Sequence, residues 1–269
     1  EWVLDEHEAI PVIDHAYKSG INTWDTADVY SFGQSEEIIG KALRQLHIPR
    51  ERVVILSKCY FGLKEPGQKF DISSLFTNDG ELVNRVGLSR KHIFDAVEAS
   101  VKRLGTYIDV LQIHRLDRAT PREEIMRALN DVIDKGWVRY IGASSMAAWE
   151  FQQLQNIADK HGWHKFISMQ NYYNLIYREE EREMIPYCQN AGIGLVPWSP
   201  MAGGVLARPW TERNTKREET DKLVKDLSRD RSLKSDEDIV NRVEELANQK
   251  KVSMAEISIA WHLSKGLYK

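Results

Sequence analysis

Two kinds of periodicity take turns along this chain, and that alternation limits the fold more than any other feature. Short β-branched runs recur: "INTWDTA" from Ile21, "RVVILSK" from Arg52, "YIDVLQIH" from Tyr107, "VRYIGASS" from Val138, "KFISMQN" from Lys165 and "IGLVPWS" from Ile193. Most are apolar at odd and even positions alike, the pattern of parallel strands covered on both faces. Segments of helical period separate them. Thr120-Pro121-x-Glu123 reads as a cap, a proline at the first helical position and a reciprocal cap. Ile125, Ala128, Leu129, Val132 and Ile133 then mark one face, and Gly136 is the stop. Ser253-x-x-Glu256 repeats the capping pattern, and Ser35 and Ser89 read as caps of two more helices. Because proline fits only a first turn, Pro11 puts the start of the first helix nearer Glu8 than Asp5. "EAIPVIDHAYKSGIN" and "EMIPYCQNAGIG" both run from proline through helix and glycine to strand, an echo of a repeated βα unit.

Strand and helix alternating this often make βαβ units with right-handed crossovers. An open doubly wound sheet and a closed (β/α)8 barrel both satisfy that rule. No strand is followed by G-x-G-x-x-G or a P-loop, so the barrel is favoured. The 269 residues are expected to form one such domain, with 60–88 and 201–238 as long loops on the active-site face. The charged stretch of the second loop reads equally well as a solvated surface excursion.

Composition narrows the class. Net charge is −3, which gives no electrostatic reason to expect nucleic acid. No apolar run approaches the roughly 20 residues of a membrane span, and the acidic N-terminus is not a signal peptide. Cys59 and Cys188 are too few for a disulfide framework or zinc site, so a soluble, cytoplasmic protein with reduced thiols is expected.

In an α/β barrel the chemistry gathers where the strands end. Here those ends carry Asp25 with Tyr30 in the following loop, then Lys58, His114, Ser144 with Ser145, Gln170 with Asn171, and Trp198 with Ser199. Each has a structural reading as well: an Asp25–Lys58 ion pair, a core histidine, an amphipathic rim tyrosine, a core tryptophan. Their joint placement favours a site, because a packed barrel interior has no other use for a lysine. An ammonium beside a phenol favours loss of the phenolic proton, and a carboxylate on its other side keeps the lysine charged and oriented. Such a tyrosine can protonate a substrate oxygen near neutral pH, with His114 orienting the carbonyl. No G-x-S-x-G, no Cys beside a His and no H-E-x-x-H is present, so neither nucleophile nor metal is indicated. A hydride from a nicotinamide would complete the chemistry, with Trp198 as a flat surface for its ring and Gln170 and the serines for its carboxamide.

At these residues the sequence resembles the aldo-keto reductases, particularly the fungal aryl-alcohol dehydrogenase-like and versiconal hemiacetal acetate reductase-like branch. The matching pieces are "GINTWDTADVYSFGQSE" from Gly20, "VILSK" ending at Lys58, "VLQIHRLD" from Val110, "IGASS" from Ile141, "QNYYNL" from Gln170 and "GLVPWSPMAGG" from Gly194, in family order across most of the chain. The resemblance implies a barrel in which Tyr30 is the proton donor, Lys58 its partner, Asp25 the carboxylate holding Lys58, and His114 the group orienting the carbonyl. It implies that Ser144 and Gln170 bond the carboxamide, that Trp198 stacks on the ring, and that Ser199, Met201 and Gly203 lie along the pyrophosphate. Asp25 would also line the cofactor. It implies NADPH as cofactor and aldehydes or ketones as substrates; Trp24, Tyr60 and Phe61 suggest an aromatic wall for aryl or polyketide-like carbonyls.

Three departures from the family pattern stand out. Ser144-Ser145 replaces the usual Ser-Asn after the fourth strand. Only "EWVL" precedes the first helix, where the family has a strand, and the chain stops at "SKGLYK", where the eighth strand is due. Six strands are therefore expected, lacking the first and eighth, in a chain shortened at both ends. In relatives the missing tail holds the adenosine 2′-phosphate, so weak cofactor affinity is expected. The alternatives to a carbonyl reductase are a regulatory binding subunit on the same scaffold and a truncated, catalytically impaired pseudoenzyme.

Overall fold

A computed structural model describes residues 3–63, 77–212, 215–220 and 233–267. Parts of both long connections expected from the sequence (64–76, 213–214 and 221–232) lie outside the described residues. Six strands are found among those described: β1 Thr23–Asp25, β2 Val54–Cys59, β3 Ile108–Ile113, β4 Val138–Ser144, β5 Phe166–Gln170 and β6 Gly194–Leu195. The helices are α1 Glu6–Lys18, α2 Gln34–Gln45, α3 Arg90–Leu104, α4 Arg122–Asp134, α5 Ala148–His161, α6 Met184–Ala191, α7 Lys216–Thr220, α8 Lys234–Lys250 and α9 Met254–Ser264. The alternation agrees with the expected (β/α)8 class, and each strand falls within one residue of the run expected to form it.

Contacts divide the chain into two compact units, Leu4–Ser168 and Met169–Lys269. In the first, β1 to β4 run parallel, each beside the strand before it in sequence. Lys58 of β2 is level with Gln112 of β3, and Gln112 is level with Gly142 of β4. The helices cover these strands with apolar stripes: Ile125, Ala128, Leu129 and Val132 of α4 are fully enclosed, as are Phe151 and Leu154 of α5. Each of these side chains larger than alanine contributes about 1.5–3 kcal/mol on burial. At the start of the strands Arg50 donates to the carbonyls of Val53 and Tyr107 and pairs with Asp109, whose carboxylate also accepts from the Ile55 N–H.

In the second unit β6 is only two residues long, although the parallel pairing runs past it. Val196 and Trp198 donate to the carbonyls of Met169 and Asn171. Pro197, between them, has no N–H, but that position faces away from the pairing, so the ladder survives as single bonds. A core of Ala202 and Leu206 packed on Val240, Val243 and Ala247 of α8 and Met254 of α9 holds the rest together.

Three helix starts differ from expectation. The first helix begins at Glu6, not near Glu8, because the Asp5 side chain caps it by accepting from the Glu8 N–H at 3.0 Å, so Pro11 is carried inside. Thr120 is not the cap of α4: its hydroxyl donates to Asp117 at 2.6 Å, and Pro121 occupies the cap position. Ser35 lies inside α2, paired with the Thr26 hydroxyl at 2.7 Å, while Gly33 at φ +90° starts the helix. Ser89 and Ser253 cap α3 and α9 as read, the latter with Glu256 closing a capping box. Among the described residues no helix is long and apolar enough to cross a membrane.

Candidate active site

Asp25, Tyr30, Lys58, His114 and Ser144 all belong to the first unit. Strand alternation sends Asp25 at the end of β1 and Lys58 near the end of β2 to the same face. The Lys58 side chain is fully enclosed, and its Nζ donates to Asp25 Oδ2 at 2.6 Å, to the Thr26 carbonyl at 2.9 Å and to the Tyr30 hydroxyl oxygen at 3.4 Å. An ammonium has three protons, and here each has an acceptor. The Tyr30 oxygen is thus the acceptor in its contact with Lys58, which leaves the phenolic hydrogen to point elsewhere. Tyr30 itself is 39% exposed.

The turn that carries Tyr30 is tightly wound. Ser31, Phe32 and Gly33 all have positive φ, at +48°, +56° and +90°. A Cβ on Gly33 would lie 2.7 Å from Cδ of Arg103, and φ +90° is itself a conformation that favours glycine. Arg103 donates to Glu36 at 2.7 Å, and the other oxygen of Glu36 accepts from the Ser57 hydroxyl at 2.5 Å, one residue before Lys58. A fully buried carboxylate therefore ties the Tyr30 turn, through Arg103, to the strand that carries Lys58.

His114 follows β3 and packs edge-on against Tyr30, with ring centroids 5.9 Å apart, and against Phe61 at 4.9 Å. Burial pushes its imidazole well below the usual histidine range, with Lys58 and Arg115 adding repulsion, so it is neutral at physiological pH. Its Nδ1 is buried without a hydrogen-bond partner among the described residues. Asp28, 1% exposed, gives its backbone N–H to the Lys58 carbonyl at 3.1 Å, and its carboxylate oxygens are buried with no side-chain donor among the described residues. Burial, with the negative charge of Glu36, pushes this carboxyl well above its ordinary range.

Ser144 ends β4, buried, with its hydroxyl 3.2 Å from that of Ser145. Of the aromatic wall expected from Trp24, Tyr60 and Phe61, Phe61 meets the His114 ring and Tyr60 packs edge-on against Phe61. Trp24 does not. It alternates with Asp25 along β1, so it faces the helices, donating to the Ile21 carbonyl at 3.0 Å beside Tyr17 of α1.

The other unit holds Gln170, Trp198, Ser199, Met201 and Gly203. Gln170 closes β5 and is buried. One face of the Trp198 ring is met by Tyr172, with centroids 4.5 Å apart. The next residues form a tight loop with positive φ at Ser199, Ala202, Gly203 and Gly204. Its carbonyls are held from behind by three buried side chains: Asn174 bonds Ser199, His262 bonds Pro200, and Ser258 bonds Leu206. The Met201 carbonyl accepts from Gly204 and Leu206 inside the loop.

Sequence reasoning did not pick out Gln112, Glu36, Ser57, Arg103, Asn174, Ser258 or His262. For Gln112 a signal existed: it shares parity with His114 and register with Lys58. The partners of the others are 21 to 67 residues away in sequence, and no local pattern reveals them.

The sequence model of the aldo/keto reductase family matches residues 1–268. The chain is 66% identical to versiconal hemiacetal acetate reductase of Aspergillus parasiticus, over 98% of this chain and 77% of that protein. It is 56% identical to a putative aryl-alcohol dehydrogenase of Schizosaccharomyces pombe, covering all of this chain and 78% of that one. A putative aryl-alcohol dehydrogenase of Saccharomyces cerevisiae is 52% identical over all of this chain and 79% of its own length.

Proposed function

The chain belongs to the aldo/keto reductase family, an oxidoreductase acting on carbonyl and alcohol groups, and from that premise we propose that it is an NADPH-dependent reductase of aromatic or polyketide-like aldehydes and ketones in the cytosol. The observation that carries this reading is the donor set of Lys58. With its three protons directed at Asp25, Thr26 and Tyr30, the phenol accepts from lysine and keeps its own hydrogen for a substrate oxygen.

When bound, the nicotinamide supplies a hydride to the carbonyl carbon. Everything else falls to this chain. Tyr30 gives its hydrogen to the carbonyl oxygen as the new alcohol O–H forms, and the phenolate left behind faces the Lys58 ammonium at 3.4 Å. Asp25 keeps that ammonium charged and in place. His114, neutral, steers the carbonyl by a hydrogen bond without competing for the proton. By the family resemblance, Ser144 is assigned to the carboxamide, as is Gln170; Trp198 is assigned to the nicotinamide ring, and Ser199, Met201 and Gly203 to the pyrophosphate. The fit is supported by the loop after β6, whose carbonyls are held from behind by Asn174, His262 and Ser258 and whose shape is thereby set before any cofactor arrives.

Aromatic substrates are favoured by the edge-to-face contacts of Tyr60, Phe61, His114 and Tyr30 beside the phenol. The names of the relatives, versiconal hemiacetal acetate reductase and aryl-alcohol dehydrogenase, point the same way. The test is loss of reduced-nicotinamide absorbance with an aromatic aldehyde, comparing the chain with Tyr30→Phe. A rate lowered at least a hundredfold in the variant is expected, on the order of one lost proton-transfer step. Equal rates would leave the binding-subunit reading in its place. Titration of tryptophan fluorescence with NADPH and with NADH tests the cofactor separately.

A further inference from the structure

Gln112 is fully enclosed on β3, level with Lys58 on one side and Gly142 on the other. Its Nε2 donates to Asp25 Oδ1 at 2.9 Å, while Asp25 Oδ2 takes the Lys58 ammonium at 2.6 Å. The two carboxylate oxygens are thus divided between two donors from two strands. A carboxylate held at both oxygens cannot turn about its Cβ–Cγ bond without losing one of them. Removing the amide takes one of these restraints away, and because Asp25 is 36% exposed, water then competes for that oxygen.

The reach is specific to glutamine. Strands two apart in a sheet lie about 9–10 Å from each other, so β3 contacts β1 only by a long side chain crossing over β2. Gln112 spans that gap over the stem of Lys58; asparagine, one methylene shorter, would fall short. Gly142 supplies the room on the far side. A Cβ there would lie 3.1 Å from Cγ of Gln112 and 2.5 Å from the Ser168 hydroxyl. An alanine would crowd the Ser168 hydroxyl most and force the glutamine stem to give way by a few tenths of an ångström.

We infer that Gln112 is a positioning residue for the reaction, fixing Asp25 and through it the ammonium that faces Tyr30, and that Gly142 keeps open the space this pose needs. The inference rests on the catalytic reading above for its kinetic consequence but not for its geometry. Gln112→Met keeps the shape and removes the donor. Its kcat is expected to fall about tenfold, the value of one charge-assisted hydrogen bond, with KM for the aldehyde unchanged within about twofold. Gln112→Glu carries a donor only while protonated, sharing a proton with Asp25 in the field of Lys58, Tyr30 and neutral His114. Its kcat relative to the parent chain's is therefore expected to recover as pH is lowered. Gly142→Ala is expected to lower kcat in the same way, with KM unchanged.

A crystal structure of Gln112→Met supplies a readout independent of turnover, in which Asp25 is expected to have rotated off Lys58. If the parent chain reduces no aldehyde while Asp25 swings in that variant, the catalytic reading fails and the positioning role stands. Undiminished kcat in Gln112→Met, or Asp25 unmoved, overturns the inference. Should that variant not fold, a Gln112→Glu profile parallel to the parent's at every pH overturns it equally.

Discussion

Replacing Lys58 with methionine tests the site at its centre. The change keeps an unbranched chain in the enclosed channel and deletes one charge. Two unit charges 3.4 Å apart, the distance from Nζ to the Tyr30 oxygen, attract by about 5 kcal/mol at an effective dielectric near 20. Tyr30 is 39% exposed, so water screens the developing phenolate and roughly half of that survives, about 2–3 kcal/mol. The loss should fall on the proton-transfer step, lowering kcat with an aromatic aldehyde roughly 30- to 150-fold. NADPH affinity, followed by tryptophan fluorescence, should hold, because no cofactor contact is removed. Folding should hold as well, since Asp25 is open enough to recover water in place of the ammonium. Asp25 acts through the lysine, so Asp25→Asn should cost activity in the parent chain and almost nothing further in Lys58→Met. Turnover within about threefold of the parent, with cofactor binding intact, would refute the electrostatic argument. Additive losses in the double variant would refute the order in which the two residues act.

Asp28 gives a pH-dependent prediction. Its buried carboxyl is pushed up in the folded chain, while the unfolded chain has the ordinary value near 4. Above that value the folded state holds a proton the unfolded state has shed, so this group's contribution to stability is full below about pH 4 and is lost as pH rises. Asp28→Asn has no such proton to hold and should raise the melting temperature near pH 7, by an amount that shrinks toward pH 4.5; a gain that grows with acid would contradict the assignment. Both cysteines are buried, the Cys188 thiol pushed up to about 12 and the Cys59 thiol raised by burial beside Asp28 and Glu36. A disulfide reagent should therefore titrate no thiol in the native chain and two after denaturation; a fast-reacting native thiol would show that one of the two pockets opens.

Strand positions were legible because a parallel sheet covered on both faces demands continuous β-branched runs, and few other structures do. The grouping of Asp25, Tyr30, Lys58 and His114 was legible for a related reason: a strand end fixes where its last side chains go, and lysine has few uses in an interior. Helix starts were less so. Pro11 argued for a late beginning, yet the Asp5 cap outweighed the one hydrogen bond that proline forgoes. At Thr120 the local pattern was right for a cap, but Asp117 competed for the hydroxyl while also binding the Leu88, Ala119 and Thr120 N–H groups. Trp24 was read by its chemistry when its parity with Asp25 already excluded it from that face. Glu36 and Arg103 were out of reach because their pairing joins two helices, and only the folded chain places them together.

Tyr30 stands at a boundary: its ring is partly bathed by water, while the lysine beneath it is dry. An acid that gives up a hydrogen at each turnover must be reloaded before the next. In the reaction proposed above, a tyrosine 39% exposed lies within reach of bulk solvent, which can return that hydrogen once the alcohol departs. No chain of relays through the protein is required, and the interior cation never has to gain or lose a proton itself.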